Sequence, residues 1–130
     1  MAMNPTIKAR WITALRSGKY IQGRGALTTV TKNEKRKRRD CCLGVLCDLA
    51  VRAGVIPAPV PELLSEKLRY GNRSGILPPS VVQWAGLDSH DPHVRARVGG
   101  YTTGHWWLSV LNDAHRRTFA QIARYIEASL

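Results

Sequence analysis

Apolar residues recur at helical spacing through Ile7, Trp11 and Leu15, and the run stops at Gly18. That pattern predicts a first helix, capped by Asn4 and opened by Pro5, with Lys8 and Arg16 on its other face. Tyr20 to Arg24 reads as a connector, with Gly23 and Gly25 flanking Arg24. The β-branched stretch from Ala26 to Thr31 predicts a strand. A turn at Lys32-Asn33-Glu34 would return the chain through Lys35 to Asp40 as a short second strand or a protruding loop. Asp40 is expected to cap a second helix whose face is Cys42, Leu46, Leu49, Ala50 and Ala53, closed by Gly54. Leu43, Val45 and Cys47 are apolar too, so this helix should be the most buried element.

Beyond Gly54 the pattern is more broken. Pro57, Pro59 and Pro61 punctuate a linker, and a short helix is expected around residues 62–68, then a turn from Tyr70 to Gly75. Pro79 opens another short helix, with Val81, Val82, Trp84 and Ala85 inward and Gly86 as its stop. Val94, Ala96 and Val98 alternate with Arg95 and Arg97, the period of a half-buried strand. Gly99-Gly100 can turn the chain into residues 101–103, which makes a second hairpin. Leu111-Asn112-Asp113 reads as an Asx-type turn or cap. Thr118 and Gln121 form a capping box for a last helix, with Phe119, Ile122, Ala123, Ile126 and Leu130 on one face. The expected fold is therefore α+β: a single domain over 1–130, with four to five short helices around a buried central helix and one or two β-hairpins. A basic hairpin or loop falls at about 31–40.

Length and composition agree with this, since 130 residues with 44% hydrophobic positions suffice for one core. The charge changes the picture. Twenty Lys and Arg against nine Asp and Glu leave +11. Twelve of those cations and only three of the acids lie in the first 55 residues. Such a surplus attracts polyanions, so nucleic acid, an anionic membrane and acidic proteins are the partner classes. Cys41, Cys42 and Cys47 are odd in number and crowded, which favours reduced, buried thiols in a cytoplasmic setting. Lys8 and Arg10 interrupt any signal-peptide pattern, and the apolar stretch from Cys41 to Val51 is far short of the ~20 residues that span a bilayer.

The sharpest candidate is the run Lys35-Arg36-Lys37-Arg38-Arg39, extended by Lys32. Adjacent cations repel, so the run stabilises nothing by itself. A polyphosphate backbone offsets that repulsion and releases counterions on binding, and arginine forks grip phosphate or base edges. A solvated loop tip is the bland alternative. Arg24, between two glycines, could clamp a phosphate, although an exposed turn arginine is simpler. In His105-Trp106-Trp107 one tryptophan should face the core and the other offer a stacking surface, with Trp106 the candidate. Asp88, His90, Asp91 and His93 form the one metal-like cluster, but Pro92 and the absence of a familiar ligand spacing favour an ordinary turn. An Asp113–His115 dyad lacks a nucleophile on a recognisable elbow, and no Walker or Rossmann loop is present. No catalytic residue, metal ligand or cofactor is expected.

Four stretches together carry a resemblance: Tyr20 to Gly25, Cys41 to Ala50, Trp84-Ala85-Gly86-Leu87, and Leu111-Asn112-Asp113. The chain resembles small proteins encoded by tailed bacteriophages and prophages, though residues 31–39 are longer and more basic than that pattern. The resemblance implies an accessory protein made in a bacterial cytoplasm and names no activity. The expected function is backbone-dominated binding to nucleic acid or a nucleoprotein complex, with little sequence preference. The alternatives are an inhibitor of a host defence or transcription complex, docking on an acidic host protein, and a metal-dependent nuclease using the 88–93 loop. No membrane partner is expected, and no sequence feature speaks to oligomeric state.

Overall fold

The computed structural model describes residues 2–33, 35–100 and 103–130. Helix α1 (Pro5–Arg16) starts where the pattern predicts. The Asn4 side chain accepts from the Thr6 and Ile7 N–H groups, and Ile7, Trp11, Ile12 and Leu15 are buried. Helix α2 (Cys42–Arg52) is central, with Cys42 through Asp48 all buried, as its nearly all-round apolar surface requires. The Trp11 indole N–H donates to the Cys42 carbonyl at 2.9 Å and ties the two helices together. Gly44 is obligatory here, because a Cβ would sit 1.9 Å from the Leu27 carbonyl oxygen.

Strands β1 (Thr28–Val30), β2 (Arg38–Asp40), β3 (Val60–Pro61) and β4 (Lys67–Arg69) make an antiparallel sheet in the order β2-β1-β4-β3. The connector after α1 covers the β2 edge: the Asp40 N–H donates to the Ile21 carbonyl at 2.9 Å, and the Gly23 N–H to the Asp40 carbonyl at 2.8 Å. Helix α3 (Pro79–Ala85) ends on Gly86 in the left-handed conformation. A hairpin of β5 (His93–Ala96) and β6 (Gly104–Trp107) points Val94 and Ala96 inward. Helices α4 (Leu108–Asp113) and α5 (Phe119–Ser129) follow, the latter opened by the Thr118–Gln121 capping box. Helix α5 packs on α1 and β5. Among the described residues this is a mixed α+β architecture around one hydrophobic cluster. No described helix is long and apolar enough to cross a membrane.

Five local expectations change. Residues 62–68 are not helical; they form the turn and return strand of the β3–β4 hairpin. Pairing with β1 decides this, since the Val30 N–H donates to the Glu66 carbonyl at 2.9 Å and satisfies a group that a local helix would leave open. Asp40 does not cap α2. It ends β2 and turns inward, and Cys41 is the cap, its Sγ accepting from the Gly44 N–H at 3.4 Å. Helix α4 forms where only a turn is expected, because Asp91 accepts from both the N–H and the hydroxyl of Ser109 and so caps α4 from a distant loop. The return strand of the second hairpin is described over Gly104–Trp107, and Thr103, the one described residue of the expected 101–103 return, lies outside it. Strand β1 is also shorter than the stretch from Ala26 to Thr31. Tyr101 and Thr102, like Glu34 of the expected turn, lie outside the described residues.

Candidate nucleic-acid interface

Strand β2 carries the end of the basic run, and strand alternation sends its residues to opposite sides. Arg38 and Asp40 face the core side. Asp40 is only 2% exposed and accepts from the Thr28 hydroxyl at 2.7 Å and from the Arg38 guanidinium at 3.1 and 3.3 Å. Arg38 also reaches Asp48 at 3.4 Å and donates to the Tyr70 hydroxyl at 3.1 Å. Asp48 completes the cluster by accepting from Tyr20 and, at 2.9 Å, from Arg52. Burial pushes the Asp48 carboxyl up, but Tyr20, Arg52 and Arg38 outweigh it and hold the group below the usual carboxylate range. Burial and the Asp48 hydrogen bond push the Tyr20 hydroxyl up to about 12. Arg38 is thus folded back onto the protein's own carboxylates and is a structural cation.

The other side of the sheet is different. The register pairs Thr29 with Arg39 on one flank and with Lys67 on the other. Lys37 stands two residues from Arg39 toward the β1–β2 loop and Arg69 two residues from Lys67 toward the opposite end of the same face, and all four cations are exposed. Thr29 is half-buried between them. None of the four has an ion-pair partner among the described residues. Like charges two residues apart, about 7 Å along a strand, repel by roughly 0.6 kcal/mol even in bulk water, so the face gains from an external anion. Gly23 lies against this corner of the sheet, because a Cβ there would be 2.9 Å from the Arg39 Cβ. Exposed Arg24 is the next residue.

The loop between β1 and β2 presents Lys32, Lys35 and Arg36 to solvent. It is tied from within: the Lys35 N–H donates to the Asn33 side chain at 3.1 Å, the Arg36 N–H to the Asn33 carbonyl at 3.1 Å, and the Lys37 N–H to the Thr31 hydroxyl at 2.8 Å. The loop is a held turn that continues the cationic face.

The remaining sequence candidates do not join this cluster. Trp106 packs half-buried against the core, edge-on to His115 at 4.9 Å. The exposed member of the pair is Trp107, at 51%, lying against His93 at 5.1 Å. Asp91 is spent on α4, and the His90 ring lies 2.8 Å from the Leu77 carbonyl. Among the described residues no three His, Cys, Asp or Glu side chains converge as metal ligands. The three cysteines are free and buried, and burial pushes every thiol up, Cys41 to about 12. Asn112 is a buried tie: its amide donates to the Gly23 carbonyl at 2.8 Å and its oxygen accepts from Gln22 at 2.8 Å and from the Cys42 N–H at 3.2 Å.

A family model described as Domain of unknown function (DUF8296) matches residues 3–130. The chain belongs to this family. No curated protein and no solved structure matches it. In this DUF8296 chain, sequence reasoning missed Lys67 and Arg69, which become part of the cationic face only through the β1–β4 pairing. It also missed Leu63 and Leu64, 92% and 91% exposed at the β3–β4 turn, where Leu64 has a positive φ of 58°. The sequence signal for these was the proline spacing at 57, 59 and 61, which suits extended chain better than helix.

Proposed function

We propose that this DUF8296 chain is an accessory protein of bacteriophage type, working in a bacterial cytoplasm, that binds nucleic-acid backbone through the solvent side of its four-stranded sheet. One observation carries the reading: Arg39 and Lys67 flank Thr29 across three strands, with Lys37 and Arg69 on the same face and no carboxylate paired to any of them among the described residues. Lys32, Lys35 and Arg36 extend the positive surface from the adjoining turn, and Arg24 extends it at the opposite corner. Such contacts are to phosphates, so little sequence preference is expected.

The test is a binding titration with single- and double-stranded probes at several salt concentrations. With about five phosphates neutralised, affinity for duplex should fall by roughly two to three orders of magnitude between 50 and 200 mM salt. Serine at Lys35, Arg36, Lys37 and Arg39 should remove most of the binding. Arg38 is kept in that variant because its loss would damage the fold. Salt-insensitive binding, or binding that survives the serine variant, overturns the proposal.

The exposed Leu63–Leu64 turn supports a second reading, contact with an acidic host protein in a defence or transcription complex. Two fully solvated leucines beside cations suit a protein interface better than a phosphate backbone. Under that reading a partner from host lysate is retained after nuclease treatment and released by Leu63→Ser with Leu64→Ser.

A further inference from the structure

A groove of about 620 Å³ lies on the far side of Arg38, between α1 and the C-terminal half of α2. It exists because α1 turns the small residues Ala9, Thr13 and Ala14, with Ser17 at its end, toward Leu49 and Arg52, while Tyr20 and Ile21 wall it in. Its size falls within the roughly 300–1,000 Å³ of small-molecule sites. The walls are largely apolar and the floor is the Arg38–Asp40–Asp48 cluster.

The charges select the ligand. Both floor carboxylates are already engaged: Asp40 by Thr28 and Arg38, Asp48 by Tyr20, Arg38 and Arg52. The cations are not used up. Arg52 meets Asp48 through its Nε and also interacts with Tyr20, while its side chain stays 74% exposed to the groove's mouth. Arg10 and Lys19 line the same groove and have no ion-pair partner among the described residues. A cationic ligand would meet spare donors and no spare carboxylate; a bare inorganic anion would leave the apolar walls wet. We propose that this groove binds a small organic anion: a flat apolar body against Ala9, Ala14, Ile21 and Leu49, with a phosphate or carboxylate held by Arg10, Lys19 and Arg52. The site is separate from the cationic sheet face and stands or falls without it.

The test follows backbone amide shifts of isotope-labelled protein during titration with naphthyl phosphate, naphthol and inorganic phosphate. Naphthyl phosphate should saturate, moving Thr13, Ile21 and Leu49, and should bind at least about tenfold more tightly than either of the other probes, a margin of roughly 1.4 kcal/mol. Arg10→Gln and Arg52→Gln should each weaken it several-fold. Thr13→Trp, at an exposed helical position, should fill the groove and abolish the effect while the spectrum stays dispersed. Three results would overturn the proposal: no saturable shifts at millimolar probe, equal affinity for naphthol, or shifts confined to Lys37, Arg39, Lys67 and Arg69. The last would credit the sheet face and reject the groove.

Discussion

Arg38 and Arg39 are adjacent and carry the same charge, yet β2 sends them to opposite sides of one sheet. On the inner side Arg38 is held by Asp40, Asp48 and Tyr70. On the outer side Arg39 looks across Thr29 at Lys67 and meets no carboxylate among the described residues. The inner cation offsets buried negative charge that would otherwise destabilise the fold. The outer ones add repulsion, which a partner's negative charge would relieve. A run of like charges is therefore not one functional unit; strand alternation divides it into a structural half and an accessible half.

The contrast can be broken most forcefully at Arg38. Arg38→Ala leaves Asp40 buried without its cation. We expect a loss of about 2–3 kcal/mol, below the full range for buried pairs because Arg38 is 38% exposed. Arg39→Ala should move stability by less than about 0.5 kcal/mol, and denaturant unfolding of the two variants checks the difference. Equal costs would erase the distinction between the sides.

Acidification probes the inner side and leaves the outer cations charged. The Asp48 carboxyl is held lower in the folded chain than in the unfolded one. Its contribution is therefore present above the unfolded value, near 4, and is lost as pH falls through the lowered folded value. Asp48→Asn should flatten that part of the stability–pH curve. A curve unchanged in shape would remove Asp48 from the account.

The subtlest change sharpens the outer side. Thr29→Glu places a carboxylate between Arg39 and Lys67. It should stabilise the fold by roughly 0.2–1 kcal/mol through cross-strand pairing while weakening nucleic-acid binding. A variant that gains stability and keeps full affinity would show that the outer cations do not meet the partner.

Local chemistry made much of this visible in the sequence. Asn4 with Pro5, the all-round apolar face of α2, the alternation from Val94 to Val98 and the Thr118–Gln121 box each encode their element within a few residues. What was hidden depended on partners far along the chain. Lys67 and Arg69 join the cationic face only because β4 pairs with β1. Asp40 reads as a cap until Thr28 and Arg38 are seen to surround it. Helix α4 is capped by Asp91 from a separate loop. The basic run itself was plain, but its division between Arg38 and Arg39 required a register.

The most direct measurement compares salt dependence in the unaltered chain and in a Lys67→Ala/Arg69→Ala variant. These two residues lie outside the basic run and touch a phosphate backbone only if the sheet face is the binding surface. The account predicts that the slope of log affinity against log salt shrinks by about two in the variant, roughly one for each phosphate that is no longer neutralised. An unchanged slope would mean that the partner meets the loop alone, and that the face assembled by the β1–β4 pairing takes no part in binding.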